Sequence, residues 1–87
     1  MGGMTLPTEP VTLSVEQIRE LNQKLADLRH DVNNHLSLIV STLELIRCRP
    51  EGTERFLNMM AAQPRKISGA ISLFSGALES ALKIQRS

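Results

Sequence analysis

One uninterrupted apolar period dominates the first half of this 87-residue chain. Leucine, isoleucine and valine recur at steps of three or four residues, at positions 18, 21, 25, 28, 32, 36, 39, 43 and 46, with no proline or glycine among them. This spacing places the side chains on one buried stripe of an α-helix. Ser14 and Gln17 fit a capping box at its start. The sequence therefore predicts one long helix over about residues 14–47.

A turn is predicted at residues 48–53, CRPEGT. Pro50 disfavours helix at the residue before it, and Gly52 adds conformational freedom. A connection this short makes the two flanking helices antiparallel neighbours. The predicted fold is therefore all-α, an antiparallel two-helix hairpin.

Helical spacing resumes after the turn and predicts a second helix over about residues 54–85. Its apolar positions are Phe56, Met60, Ile67, Ile71, Phe74, Leu78 and Ala81. Pro64 lies inside this pattern, where it removes one backbone hydrogen bond and clashes with the preceding turn. A kink is therefore expected near Pro64.

The N-terminal residues differ from the rest of the chain. Residues 1–13 show no helical period and contain two glycines and two prolines. We expect a flexible segment there. The helical-hairpin domain is accordingly predicted over residues 14–87.

A hairpin of this size leaves part of each apolar stripe uncovered. Chains this short bury a limited core, and two helices bury less than a bundle does. Pairing two hairpins into a four-helix bundle would cover the remaining apolar side chains. The sequence therefore predicts a homodimer.

Charge and cysteine content argue against several classes of partner. The formal net charge of +1 gives no electrostatic reason to expect binding to nucleic acid or to an anionic membrane. No apolar run approaches the roughly 20 residues of a membrane span, and no secretory signal is evident. Cys48 is the single cysteine, which allows no internal disulfide and is typical of a reducing compartment. The expected location is the cytoplasm, or the cytoplasmic part of a larger protein.

A polar cluster, RHDVNNHL at residues 29–36, lies in the middle of the first predicted helix. On the apolar register His30 points to solvent, and Asn34 follows one turn later on nearly the same face. Asp31 is about 100° around the helix from His30. His35 is different, because it occupies a position that would be apolar in an uninterrupted heptad.

An exposed His-Asp-x-x-Asn arrangement on a rigid helix suits one kind of chemistry. A neutral imidazole nitrogen is a nucleophile near neutral pH. An adjacent carboxylate can stabilise the proton on the other ring nitrogen. An amide one turn away can hold a water molecule or a phosphoryl oxygen. This combination indicates phosphoryl transfer through a phosphohistidine, where positioning and electrostatics supply most of the catalysis.

Residues 28–36, LRHDVNNHL, resemble the phosphoacceptor box of sensor histidine kinases, in their dimerisation and histidine-phosphotransfer domain. The variant they look most like is the His-Asp-x-Asn-Asn form. The resemblance implies that His30 is phosphorylated, that Asp31 gives acid–base assistance, and that Asn34 orients water when the kinase dephosphorylates its partner. His35 departs from the pattern, since the family often has an apolar or small residue there.

The resemblance also implies partners. ATP, with Mg²⁺, would be bound by a separate ATP-binding catalytic domain, because this chain carries no evident nucleotide motif and no cofactor site. The phosphoryl group would pass to an aspartate on a response-regulator receiver domain. By this interpretation the chain is part of a protein-histidine kinase and is inactive alone.

Other interpretations remain beside this one. The chain could be a non-catalytic four-helix dimerisation module, in which the polar cluster sets only registry or partner binding. It could instead be a stand-alone phosphorelay intermediate. His35 is interpreted as a packed histidine or one hydrogen-bonded across the dimer, with a second phosphoacceptor as the alternative. No metal site is predicted, because His30 and His35 are five residues apart and do not share a helix face.

Overall fold

The structure is a computed structural model that describes residues 3–86, and it confirms the predicted helical hairpin. The element order is β1 (Met4–Thr5), α1 (Val15–Cys48), a short 3₁₀ turn (Pro50–Gly52), α2 (Thr53–Ala81) and β2 (Gln85–Arg86). The two helices pack against each other, and the chain as a whole is elongated, with dimensions of 59 × 33 × 11 Å.

Both ends of α1 follow from local sequence chemistry. The Ser14 hydroxyl accepts a hydrogen bond from the Gln17 backbone N–H at 3.1 Å, and the Gln17 side chain accepts one from the Ser14 N–H at 2.8 Å. This reciprocal pair is the predicted capping box. At the other end α1 stops at Cys48, because Arg49 precedes Pro50 and takes a non-helical conformation with φ −136° and ψ 75°.

The second helix is continuous through its internal proline. α2 runs from Thr53 to Ala81 without a break at Pro64. The proline ring lies on an exposed part of the helix surface, where a lost backbone hydrogen bond is tolerated more easily than in the core. α2 ends four residues before the position predicted from the apolar spacing.

A Schellman turn explains this earlier end. The Ile84 N–H donates to the Glu79 carbonyl at 2.8 Å and the Lys83 N–H to the Ser80 carbonyl at 3.4 Å. Lys83 has φ 58°, the left-handed conformation that usually favours glycine. The turn redirects the chain so that Gln85–Arg86 can pair with an N-terminal strand.

The two short strands join the chain ends at the open end of the hairpin. Met4 pairs with Arg86 and Thr5 with Gln85 in an antiparallel register. The segment predicted to be flexible, residues 1–13, therefore includes two residues in a strand. Residues 1 and 2 of that segment, and Ser87, lie outside the described residues.

The seam between the helices keeps a strict seven-residue repeat along α1. Positions 21, 28, 35 and 42 are all buried or half-buried, although two of them carry His35 and Thr42. The Thr42 hydroxyl donates to the Leu38 carbonyl at 2.6 Å within its own helix, so it needs no partner on α2. Phe56 is the one buried hydrophobic residue among the described residues, with 5% of its surface exposed.

The predicted apolar stripe of α1 is divided between two surfaces. About half of it, at positions 21, 28, 32, 39 and 46, is half-buried against α2. The remaining positions stay exposed, at Ile18, Leu25, Leu36 and Leu43. The prediction that a single hairpin leaves part of this stripe uncovered is therefore confirmed, because one neighbouring helix covers only one side of it.

Gly52 is required by close packing at the turn. Its φ is −100°, which any residue can adopt, but a Cβ there would lie 2.7 Å from Cε2 of the buried Phe56 ring. We expect Gly52→Ala to lower the free energy of unfolding by about 1–3 kcal/mol, because the ring has to move out of its packed position. Urea denaturation followed by circular dichroism measures this change.

Two other glycines provide the matched control. A Cβ at Gly69 or at Gly76 of α2 would meet nothing within 4 Å. Alanine at either position should instead stabilise the chain by about 0.5–1 kcal/mol, because it restricts the unfolded backbone. A Gly52→Ala variant as stable as Gly69→Ala would contradict the packing argument.

Candidate functional site

His30 lies on the side of α1 that faces away from α2. At 100° per residue it is roughly 150° from the seam centred on positions 21, 28, 35 and 42, and it is exposed. Its imidazole makes no side-chain hydrogen bond or ion pair with any residue in the described range 3–86. Both ring nitrogens are therefore open to a reactant that approaches from solvent.

Asn34 and Asp31 border His30 on the same exposed surface. Asn34 lies one helical turn further along α1, and Asp31 lies about 100° around the helix on the side of a groove between the helices. Neither side chain hydrogen-bonds to His30 in this structure. The helix thus brings an imidazole, a carboxylate and an amide to neighbouring positions without linking them.

The groove next to Asp31 is open and of mixed chemistry. It encloses about 580 Å³ between the N-terminal half of α1 and the C-terminal half of α2. Asp27, Asp31 and Lys24 supply its charged side, while Leu28 and Phe74 contribute to its apolar floor. Asp31 consequently borders both the His30 surface and the groove, and its carboxylate is free to accept a proton or to hold the positive charge of an imidazolium.

His35 occupies a different environment from His30. It lies in the seam, is half-buried, and its Nδ1 is 2.8 Å from Oε1 of Gln63 on α2. The contact is made within one chain, whereas the sequence interpretation placed such a bond across a dimer. Gln63 was not identified from the sequence; the signal that could have found it is its helical spacing with Phe56, Met60 and Ile67.

The described residues hold neither a metal-binding cluster nor a membrane-spanning helix. Among residues 3–86 no group of three or more histidine, cysteine, aspartate or glutamate side chains is arranged to hold a metal ion. In the same part of the chain, no helix has the length and hydropathy needed to cross a membrane. Cys48 is exposed at the C-terminal end of α1 and is not in a disulfide.

Comparison with known proteins gives no family assignment. No protein-family model matches the chain, and neither does any curated protein or solved structure. The resemblance to histidine kinases therefore depends on residues 28–36, within which His30, Asp31 and Asn34 lie at neighbouring positions on α1.

Proposed function

We propose that this chain is the phosphoacceptor and dimerisation domain of a two-component sensor histidine kinase. A separate ATP-binding domain phosphorylates His30, and the phosphoryl group then passes to an aspartate of a response-regulator receiver domain. The observation that carries the proposal is the position of His30, which is exposed on the outer side of a long helix and whose imidazole has no side-chain hydrogen bond to residues 3–86. The proposed compartment is the cytoplasm.

One phosphoryl donor and then one phosphoryl acceptor have to reach the same imidazole. ATP approaches it in the first step and a receiver-domain aspartate in the second, and each needs an in-line path to a ring nitrogen. An outward-facing histidine on α1 offers that path to both. The helix, held by its packing against α2, keeps the nucleophile in place and so reduces the entropic part of the barrier.

Each of the three side chains has a distinct role in this proposal. One ring nitrogen of His30 attacks the γ-phosphorus of ATP as the bond to ADP breaks, and positive charge develops on the imidazole. Asp31 stabilises that charge and accepts the proton from the other nitrogen. Asn34 orients the water that hydrolyses the acyl phosphate of the receiver domain.

Replacing Asn34 with alanine should separate the two activities. We expect Asn34→Ala to slow dephosphorylation of the receiver domain by about 10-fold or more, because a positioned hydrogen-bonding group is lost. Phosphorylation of His30 should change by less than about threefold, since the attacking imidazole remains. The two rates are measured separately, by loss of label from the receiver and by gain of label on this chain.

The neighbouring amide is the matched control for that experiment. Asn33→Ala removes the same functional group from the same exposed helix, about 100° from Asn34. Both rates should stay near those of the parent chain. An equal loss of kinase and phosphatase rates in Asn34→Ala would argue against a separate role for this residue.

The direct test of the proposed function is phosphorylation in trans. The chain is mixed with radiolabelled ATP, Mg²⁺ and the ATP-binding domain of the parent kinase. The expected product carries an acid-labile, base-stable phosphoryl group, as phosphohistidine does. Absence of label with that cognate domain would contradict the proposal.

A non-catalytic dimerisation module is the second candidate. The exposed apolar residues of α1, together with Leu57 and Ile71 of α2, favour it, because they suit contact with another helical hairpin. This candidate requires no phosphohistidine and tolerates substitution of His30. A stand-alone phosphorelay intermediate would be labelled like the kinase domain but would have no ATP-binding domain in its own gene product.

A further inference from the structure

The His35–Gln63 contact is the one side-chain hydrogen bond that joins α1 to α2 within residues 3–86. The side-chain hydrogen bonds of Thr42 and Thr53, and the ion pairs along α1, stay within one helix or at the turn. Gln63 is 8% exposed, and His35 is half-buried. A directional contact therefore lies inside a seam that is otherwise largely apolar.

The direction of this hydrogen bond follows from its neighbours. The Gln63 side-chain Nε2 donates to the Met59 carbonyl at 3.2 Å, and a carbonyl can only accept. This contact orients the amide so that Oε1 faces His35. Nδ1 of His35 must then carry the proton and donate it. A neutral His35 is accordingly the Nδ1–H tautomer, with Nε2 unprotonated.

Aliphatic packing alone does not fix how a helix is rotated about its axis. Hydrophobic contacts are non-directional, and one buried polar pair often determines register in packed helices. The His35–Gln63 bond can do this for α1, because shifting or rotating the helix would break it. Breaking it would leave the buried Gln63 oxygen without a donor, which is unfavourable.

We propose that His35 is a positioning residue for His30: its hydrogen bond to Gln63 sets the rotation and register of α1 against α2, and thereby the direction in which His30 faces. His30 is five residues earlier on the same rigid helix, about 7.5 Å along its axis. Any rotation of α1 at His35 is transmitted to His30 directly. The consequence for phosphoryl transfer rests on the proposed function, whereas the bond and its effect on register do not.

Imidazole ¹⁵N NMR tests the bond itself. The chain has two histidines, so His30 serves as the internal control in the same spectrum. At a pH where both rings are neutral, His35 should show a protonated Nδ1 and an unprotonated Nε2, while exposed His30 exchanges between tautomers. Gln63→Leu should abolish this preference at His35 and leave His30 unchanged. A neutral His35 protonated on Nε2 would overturn the proposal.

Apolar replacements test the effect on register. His35→Leu should raise the unfolding equilibrium constant about tenfold, because Gln63 loses its donor. The double variant His35→Leu/Gln63→Leu should recover most of that loss, since two apolar side chains leave no buried polar group unpaired. Its α1 amide resonances should nevertheless broaden or double. One sharp set of resonances, at the parent positions away from the substituted residues, would overturn the proposal.

Phosphorylation of His30 gives the functional measurement. The double apolar variant should be phosphorylated about 10-fold more slowly than the parent chain. Parent-like phosphorylation of the double variant would overturn the positioning role. Failure of the parent chain to be labelled would contradict the proposed function, and the two NMR measurements would still decide the role of His35 in register.

Discussion

His30→Gln is expected to reduce phosphoryl labelling of the chain by at least 100-fold, to background. A glutamine amide nitrogen is not a nucleophile near neutral pH, so the substituted side chain cannot accept the phosphoryl group. The fold should be retained, because His30 is exposed and has no side-chain hydrogen bond to residues 3–86. The free energy of unfolding should change by less than about 0.5 kcal/mol.

Ser37→Gln is the matched control for this substitution. Ser37 lies two helical turns after His30, is also exposed, and receives the same new side chain. Labelling of this variant should equal that of the parent chain. Persistent labelling of His30→Gln would show that another residue accepts the phosphoryl group, with His35 as the next histidine to examine.

The parts of the fold that could be predicted from sequence are those determined by neighbouring residues. The capping box of Ser14 and Gln17 involves residues three apart, and Pro50 acts on the residue directly before it. The spacing of apolar residues at three or four positions is enough to predict a helix, because it depends on no contact with another part of the chain. The hairpin then follows, because a connection as short as residues 48–53 makes the second helix pack antiparallel to the first.

The C-terminal region could not be predicted from the same signals. Lys83 takes a left-handed conformation at the end of α2. Glycine is the residue that usually marks such a helix end in a sequence, and it is not present here. The pairing of Met4–Thr5 with Gln85–Arg86 joins opposite ends of the sequence. Residues so far apart come together only after the hairpin forms, so no local pattern identifies them as strands.

The apolar stripe and the polar cluster were predictable only in part. Periodicity identifies the apolar face of α1, but it does not show which part of that face packs against α2. His35 could be placed on that face, whereas its partner Gln63 depends on how the two helices align, which the spacing within one helix does not specify. The exposure of His30 followed from its position on the helix alone.

The second large effect is expected at the exposed apolar surface. On α1 this surface includes Leu36 and Leu43, with 47% and 44% of each residue exposed, and on α2 it includes Leu57 and Ile71. Around its own helix axis, each group lies roughly 70–80° from the face that packs in the seam, and the direction of this rotation is the same in both helices. Because the helices are antiparallel, both groups fall on the same side of the hairpin. This side of the hairpin therefore carries exposed apolar residues from both helices, of the kind that a second copy of the chain would cover.

Acidic substitutions on this surface should separate the proposed dimer. Leu36→Glu/Leu43→Glu removes four leucines from each dimer, at about 1.5–3 kcal/mol apiece, and adds charges that must be desolvated. We expect the dimer dissociation constant, measured by sedimentation velocity, to rise by at least about a thousandfold. Helix content should be kept, because both side chains already face solvent in the single hairpin.

Leu73 distinguishes a specific interface from general hydrophobic association. It is 80% exposed, more than any other large hydrophobic residue in the described range, but it borders the groove with Asp27 and Asp31 on the opposite side of the hairpin. If exposure alone drove association, Leu73→Glu would disrupt it most. If the Leu36 surface forms the four-helix bundle, Leu73→Glu leaves the dimer intact. A parent chain that sediments as a monomer at every concentration would contradict the dimer itself.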